Sequence, residues 1–533
     1  MNFTREQLQA AVHTFLAGHE TSAERIRAVE TALRGPAGKA LREELGKWVV
    51  EVLPAEQVVP QVYKDWRPLV RDAMLFTVSR LSAARLAPKL IEQLELPADT
   101  PPETRLLHLI AKVPGLQKIG QVLARNRHFH PSLREALSQL ENGIHDVEAA
   151  EIRAMVFDQL GPQVNKYAVE IEPELMCEAS VSAVMRFTWL NPETGQRERG
   201  VFKVLKPYVP ACFREDMALL QELTTFLAAK HPEYGSPLPE TLTGVRHLLE
   251  REVDYPREQR TLVEARRTYG SLPGVRVPRL FKQLSTARIT ALSEENGVKV
   301  TAAFAHEPAE RRRPVAEQLV ETLIAAPIFA GGENVVIHAD THAGNLLYDE
   351  KRGELVVLDW ALTERLTREQ RRHISLFGIL LVLRDALGVC HEIEALSLDS
   401  SSRPPALTAF LRQHVAEFIE KMPLKHLPGS MDAMRLLDRL ALEGVRFPSS
   451  LLMFRKILFT LDGILHDIGA PNVHMDLIIA RHVASRWARH WMSIGSPLTL
   501  MDWVTVQSSA LLFGGRVWVK WAQSALGAPA EAS

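Results

Sequence analysis

The stretch HADTHAGNLLYDEKRGELVVLDWA, residues 338–361, sets two carboxylates and one carboxamide at fixed intervals among apolar residues. Carboxylate and carboxamide oxygens are ligands that Mg²⁺ prefers, and a carboxylate beside an attacking hydroxyl accepts its proton. The segments LLYD and ELVVLDW predict a short hairpin. Such a hairpin would return Asp359 to the loop that carries Asp340 and Asn345, so the stretch predicts a compact, oxygen-rich site.

The same spacing is typical of phosphoryl transfer. His338, Asp340 and Asn345 fit H-x-D-x-x-x-x-N, the catalytic loop of protein kinases, and Asp359 stands where the DFG aspartate would stand. We expect Asp340 to orient the attacking hydroxyl, and Asn345 and Asp359 to hold Mg²⁺ on the phosphates of ATP. His338, taken alone, is expected to be a structural residue of the core.

A strand lysine and a phosphate-binding loop should precede this stretch. In GVFKVLKP, Lys203 occupies the lysine position of V-A-I-K, so Asp340 and Lys203 are the candidate catalytic residues. No glycine-rich loop precedes Lys203. The corresponding stretch EASVSAVM offers small residues that let a backbone approach phosphates, namely Ala179, Ser180 and Ser182. Glu178 is unfavourable there, because a carboxylate repels a triphosphate unless a metal or another cation lies between them.

Hydrophobic periodicity divides the 533 residues into five predicted parts. Segments whose apolar residues have helical spacing are followed along the chain by segments in which apolar and polar residues alternate as in a strand. The parts are an N-terminal helical region over 1–100, a helical extension over 101–166, a β-rich lobe over 167–300, a helical lobe over 301–500 and a C-terminal tail over 501–533. The expected fold class is α+β, with a two-lobed protein-kinase-like core that has a small β-rich N-lobe, a helical C-lobe and an N-terminal helical extension.

Composition narrows the class of protein. A hydrophobic fraction of 46%, a charged fraction of 24% and a formal net charge of −1 are typical of a globular protein and favour no nucleic-acid partner. Cys177, Cys212 and Cys390 lie too far apart to indicate a zinc site or a disulfide framework. The first residues show no apolar signal segment. We therefore expect a cytoplasmic protein.

Two apolar stretches are candidates for membrane contact. Residues 503–515 carry no charge, and residues 374–383 read ISLFGILLVL, but both are shorter than the roughly 18–20 residues that cross a bilayer. We predict that both are buried core helices. The alternative is a peripheral membrane contact through Trp503, Trp518 and Trp521.

Four motifs give the chain its resemblance to a known family, the UbiB family of atypical, AarF-domain kinases. HADTHAGN is similar to that family's H-A-D-P-H-P-G-N, and VFKVLKP to its V-A-V-K-V-x-x-P. EREVDYPRE carries an E-x-D element at Glu252 and Asp254, and KIGQ, from Lys118 to Gln121, is similar to its signature K-x-G-Q. The resemblance covers about half of the chain, residues 118–366.

This resemblance implies further roles. Lys203 would contact the nucleotide phosphates and pair with an acidic residue, Glu258 or alternatively Glu252. Lys118 and Gln121 would lie over the nucleotide cleft, where a peptide substrate would otherwise bind. The family implies ATPase or small-molecule kinase activity instead of protein phosphorylation, and a link to ubiquinone and isoprenoid-lipid metabolism. The acceptor, a small molecule or a lipid, stays open.

The chain departs from the family pattern at several positions. Thr341 and Ala343 replace two prolines, which should loosen the catalytic loop. LDWA replaces the DFG-like element, so that Ala361 stands in place of glycine. We expect Ala361 to resist the left-handed conformation that glycine adopts readily.

Two other functions fit part of the pattern. A small-molecule phosphotransferase of the aminoglycoside- or choline-kinase type would also carry HADTHAGN followed by VLDW, although KIGQ and EREVDY argue against it. A pseudokinase scaffold would bind nucleotide or lipid without turnover, as the altered loop EASVSAV suggests.

Overall fold

The fold is taken from a computed structural model of the chain. The structure describes residues 21–59, 61–97, 99–124, 146–235, 237–398, 403–423, 428–469, 478–479, 481 and 497–525. They pack into two compact units, the first within residues 1–256 and 281–294 and the second within residues 257–280 and 295–533. The five-part division drawn from the sequence stays a prediction.

Helices make up most of both units. Their bounds are α1 Ser22–Arg34, α2 Gly38–Val52, α3 Ala55–Val58, α4 Arg67–Arg80, α5 Ala83–Glu95, α6 Pro102–Ile110, α7 Pro114–Ala124, α8 Ala149–Leu160, α9 Pro162–Lys166, α10 Val209–Lys230, α11 Pro237–Val253, α12 Tyr255–Tyr269, α13 Val300–Phe304, α14 Ala309–Val320, α15 Ala326–Ile328, α16 Arg368–Val382, α17 Ala386–Leu396, α18 Pro405–Glu420, α19 Ser430–Leu442, α20 Ser449–Asp467 and α21 Leu500–Ala525. A π-helical turn, Glu321–Ala325, joins α14 to α15.

Strands form one sheet in the first unit and two small sheets in the second. Their bounds are β1 Glu170–Glu178, β2 Ser182–Leu190, β3 Arg197–Leu205, β4 Val275–Arg276, β5 Ile289–Ser293, β6 Val298–Lys299, β7 Asn334–His338, β8 Leu346–Asp349, β9 Glu354–Val357 and β10 Thr363–Thr367. The mixture of helices and strands is the predicted α+β class.

The first unit joins a helical layer to an antiparallel sheet of strand order β1-β2-β3-β5. Helices α1, α2, α4 and α5 bury residues such as Leu33 and Trp48 in one core that also takes in Leu223 of α10. A second core lies between the sheet and α8, where Phe187 and Phe202 stack with ring centroids 3.8 Å apart. The strands predicted from the alternating segments are therefore present, and the polar turn between β2 and β3 lies where the sequence predicts it.

The second unit carries the segment quoted first. Strands β8 and β9 form the predicted hairpin, in a sheet of order β4-β9-β8-β6, and β7 pairs with β10. Helix α16 begins at a capping box on Thr367, whose hydroxyl accepts from the backbone N–H of Gln370. The stretch 374–383 falls mainly in α16 and is largely buried, which confirms the predicted core helix.

The C-terminal helix α21 differs from its prediction. The stretch 503–515 was expected to be buried, but α21 leaves apolar side chains exposed, with Leu511 at 79% and Trp518 at 67% of their full accessibility. The side chain of Trp521 lies outside the described residues. Among the helices of the described ranges, none is long and apolar enough to cross a membrane.

Candidate active site

A buried histidine organises the loop that follows β7. The ring of His338 is almost fully buried; its Nε2 lies 2.8 Å from the carbonyl oxygen of Leu358, and its Nδ1 lies 3.3 Å from the backbone nitrogen of Asp340. An Nε2–H donor and an Nδ1 acceptor satisfy both contacts. The ring also meets Trp360 edge-on, with centroids 4.8 Å apart. His338 therefore joins the loop that follows β7 to the segment that ends in Asp359, which is the structural role expected of it.

A second set of bonds fixes Asn345. The side-chain Nδ2 of Asn345 donates to the backbone carbonyl oxygen of Asp340 at 2.9 Å. The backbone carbonyl oxygen of Asn345 accepts from the N–H of Leu358 at 2.8 Å. The amide contact orients the side chain and leaves Oδ1 as an acceptor for a ligand. The loop is thus tied at both ends, although Thr341 replaces a proline of the family pattern.

The residue that needs a left-handed backbone is Asp359 itself. Its φ is 51°, and its Oδ1 accepts from the backbone N–H of Ala361 at 3.1 Å. Asp and Asn tolerate this conformation because their short side chains bond locally. Ala361 has no positive φ. This agrees with the expectation that Ala361 resists such a conformation, and the left-handed residue lies two positions earlier, at the predicted metal ligand.

The second unit therefore gathers Asp340, Asn345 and Asp359 through hydrogen bonds shared by one loop and one hairpin. Within the described residues, no three His, Cys, Asp or Glu side chains converge to hold a metal by themselves. Mg²⁺ is usually held by one or two carboxylates, waters and the phosphates of a substrate. The donor set of Asn345 and Asp359 fits that pattern.

Sequence reasoning missed one further residue, Lys456 of α20. Its Nζ lies 3.1 Å from Oδ1 of Asp340 and 3.0 Å from the carbonyl oxygen of Ala339. On the other side, Nε2 of His342 lies 3.5 Å from Oδ2 of Asp340. The predicted catalytic carboxylate is thus held by an ammonium group from a helix more than one hundred residues away in the chain.

Lys203 lies in the first unit, in the middle of β3. It faces Val184 of β2 and Thr290 of β5 across the sheet. The neighbouring side chains Phe202 and Val204 are fully buried in the core behind the sheet, so Lys203 projects from the opposite face. Its Nζ lies 5.8 Å from the ring centroid of Tyr255.

The KIGQ and EREVDY motifs meet within the first unit. The Nζ of Lys118, on α7, forms an ion pair with Glu252, near the end of α11, and both side chains are largely buried. Glu252 is thus paired with Lys118. Glu258, buried in α12, and Glu252 stay the two predicted partners of Lys203. The side chain of Gln121 lies outside the described residues.

The small-residue loop forms a tight turn between β1 and β2. The N–H of Ala179 donates to the carbonyl oxygen of Ser182 at 2.7 Å, and the side chains of Ser180 and Ser182 are buried. In the part of the chain that the structure describes, the amides of Ser180 and Val181 donate to no acceptor. Free backbone amides in a turn are suited to binding an anion.

Glu178 does not face the nucleotide loop as a bare charge. Nζ of Lys206, which is fully buried, lies 3.0 Å from Glu178 and 2.7 Å from Asp146. The hydroxyl of Tyr208 donates to Asp146 at 3.0 Å, and burial, with the Asp146 charge, raises the pKa of that hydroxyl. Lys206 is therefore a cation beside this carboxylate, which is the condition under which a nearby triphosphate would not be repelled.

Comparison with known proteins bears on these motifs. Residues 139–392 match the family model of the ABC1 atypical kinase-like domain, which confirms the kinase-like fold class. The chain is 25% identical over 279 residues to the uncharacterized protein sll1770 of Synechocystis sp., covering 51% of this chain and 46% of that protein. It is 24% identical over 363 residues to a probable protein kinase UbiB of Marinobacter nauticus, covering 66% of this chain and 64% of that protein.

The chain thus spans about half to two thirds of the length of these curated relatives. The solved structure of Rv3197 in complex with erythromycin, from Mycobacterium tuberculosis, aligns with a TM-score of 0.44 and 19% identity. That alignment covers 66% of this chain and 87% of the other.

We predict that Lys206→Ala destabilises the protein strongly. The change leaves the Glu178 and Asp146 carboxylates buried without a counter-charge, and breaking such a group typically costs about 3–5 kcal/mol of unfolding free energy. Urea denaturation followed by circular dichroism measures the loss.

The matched control is Glu222→Ala, which removes an exposed ion pair with Arg80. An exposed pair contributes about 1 kcal/mol or less. Equal losses in the two variants would contradict the importance assigned to the buried group.

Proposed function

We propose that this chain, which belongs to the ABC1/UbiB family of atypical kinase-like proteins, binds ATP with Mg²⁺ and transfers or hydrolyses its terminal phosphate. The resemblance drawn from the four motifs is confirmed at the level of the family. Nucleotide, metal and acceptor are proposals.

The observation that carries the proposal is the joint fixation of three oxygen-bearing side chains. His338 and Asn345 hold the backbone on either side of Asp340, and a bond from the N–H of Ala361 holds the carboxylate of Asp359. Phosphoryl transfer relies on positioning and charge stabilisation more than on covalent chemistry by the protein. A loop fixed at both ends is suited to that task.

Each residue has a role in the proposal. Asn345 and Asp359 would hold Mg²⁺, which, when bound, neutralises phosphate charge. Asp340 orients the attacking hydroxyl or water and accepts its proton. Lys456 keeps the Asp340 carboxylate in place through the two contacts described above. Lys203 contacts the phosphates, and the amides beside Ser180 accept their negative charge.

The acceptor is proposed to be a small molecule or a lipid, in keeping with isoprenoid-quinone or lipid metabolism. The buried pair of Lys118 and Glu252 supports this choice over a protein substrate. It joins the KIGQ motif to the E-x-D motif, and the family resemblance implies that KIGQ covers the groove where a peptide would bind. The ABC1 domain match favours this function over that of an aminoglycoside- or choline-type phosphotransferase. A pseudokinase scaffold remains the competing outcome, and the experiments below separate the two.

We predict that Mg²⁺ with ADP or ATP raises the melting temperature. Ligand at about 100-fold above its Kd stabilises a native protein by about 2.7 kcal/mol. At the usual ~2–4 °C per kcal/mol for large domains, the shift should be about 5–10 °C. Differential scanning fluorimetry measures it.

Two variants sharpen this measurement. Lys203→Met should reduce the shift, while Lys166→Met, an exposed lysine of the same unit, should not. Asp359→Asn should remove the Mg²⁺ dependence and still fold, since Asn tolerates the left-handed backbone. The nucleotide-binding proposal fails if neither Mg²⁺ nor Mn²⁺ with nucleotide changes the melting temperature of the wild-type protein.

We also predict slow ATP hydrolysis that depends on Asp340. Loss of a positioned general base costs about 100-fold or more in rate, so Asp340→Asn should lose turnover while it keeps the thermal shift. Lys456→Met should lose about tenfold or more, because the carboxylate is no longer held in place. Phosphate release under saturating Mg–ATP is the readout.

Lys456→Arg is the control for position, because it restores a cation beside the carboxylate. It should recover part of the turnover that Lys456→Met loses. Nucleotide binding by the wild type with no hydrolysis in any condition would instead support the pseudokinase scaffold.

A further inference from the structure

A large apolar cavity that opens to solvent lies in the second unit, and none of the residues assigned to phosphoryl transfer lines it. Its volume is about 490 Å³, and helices α16, α19, α20 and α21 form most of its wall. The wall includes Phe377 and Gly378 of α16, Met434 of α19, Leu458 of α20, and Trp503 and Val506 of α21. A concave apolar surface of this size that opens to solvent often marks a ligand-binding site.

Water is a poor occupant of this space. Each water needs two or more polar partners, and the wall is almost entirely apolar. One of its few polar groups, the hydroxyl of Ser375, already donates to the carbonyl oxygen of Arg371 at 2.7 Å. The apolar wall is therefore suited to binding the hydrocarbon part of a ligand.

Polar contacts at two points hold α21 over the cavity. Asp502 receives two hydrogen bonds from the guanidinium of Arg372, at 2.8 and 2.5 Å. Burial acts to raise the pKa of Asp502, but its bonds with Arg372 and Thr499 outweigh burial and lower that pKa. The hydroxyl of Ser509, two turns further on, donates to Asp385 at 2.6 Å.

These contacts flank Trp503 and Val506, the α21 side chains that cover the cavity. The helix is therefore fixed by hydrogen bonds on both sides of its apolar contact. Closing the cavity by moving α21 inward would strain or break those bonds. The space beneath the helix is thus kept open by the same contacts that attach it.

We propose that this cavity binds the hydrocarbon chain of a single lipid molecule, isoprenoid or acyl. Its volume lies within the roughly 300–1,000 Å³ of ligand sites. The exposed side chain of Gln507, at the cavity edge, is placed to bond a polar head group. The proposal rests on the lipid-linked part of the proposed function and deepens it by naming a lipid-binding site. The test of this site needs no nucleotide.

The structure offers a variant that fills the cavity without disturbing the fold. A Cβ added at Gly378 meets no atom within 4 Å, although this residue lines the cavity from within α16. Gly378→Leu should therefore occupy the space, and leucine also favours a helix more than glycine does. Gly463→Leu is the matched control, because Gly463 lies in α20, has equal room and does not line the cavity.

The experiment is a titration of the full chain with cis-parinaric acid, whose fluorescence rises in an apolar site. We expect saturable binding to the wild type and to Gly463→Leu, and an affinity lower by about tenfold or more in Gly378→Leu, because an extra side chain overpacks the site. The melting temperature of Gly378→Leu should be equal to or above that of the wild type. Displacement by farnesol or by palmitic acid identifies the chain as isoprenoid or acyl, and either result supports the site.

Three results would overturn the proposal. They are no saturable binding by the wild type, equal affinity in Gly378→Leu and the wild type, or a wild-type dimer that Gly378→Leu dissociates, which would assign the cavity to a second copy of the chain. Light scattering after size exclusion tests the last. If cis-parinaric acid binds as expected and Mg–ATP causes no thermal shift, the lipid site stands and the kinase-like function fails.

Discussion

The loop that follows β7 depends on the two hydrogen bonds made by one buried imidazole. His338 has no other polar contact described, and it needs none, because a neutral ring has one donor and one acceptor. Those two bonds tie the start of the loop to the backbone just before Asp359. The positions of Asp340 and Asp359 are therefore linked, although the two carboxylates lie nineteen positions apart in the sequence.

Local patterns were sufficient to predict much of this arrangement. The hairpin of β8 and β9 follows from turn residues between apolar runs, and Lys203 from its place in an alternating strand. The family also followed from short motifs, of which Lys118 and Glu252 prove to be in contact. In each case the relevant information lies within a few residues of sequence, where periodicity and spacing reflect the backbone directly.

Other features depend on pairings that no local pattern encodes. Lys456 looks like an ordinary helical lysine until α20 brings it to Asp340, and Glu178 looks like a liability until Lys206 is seen beside it. The exposure of α21 was missed for the same reason, since an apolar run alone does not reveal what packs against it. The left-handed turn fell on Asp359 and not on Ala361 because local side-chain bonding made aspartate acceptable there.

The most direct measurement is a crystal structure of the full chain with Mg²⁺ and a non-hydrolysable ATP analogue. The account predicts Oδ1 of Asn345 and the carboxylate of Asp359 on the metal at roughly 2.0–2.1 Å, with Nζ of Lys203 bonded to a phosphate oxygen. A nucleotide bound elsewhere, or a metal that touches neither Asn345 nor Asp359, would contradict it.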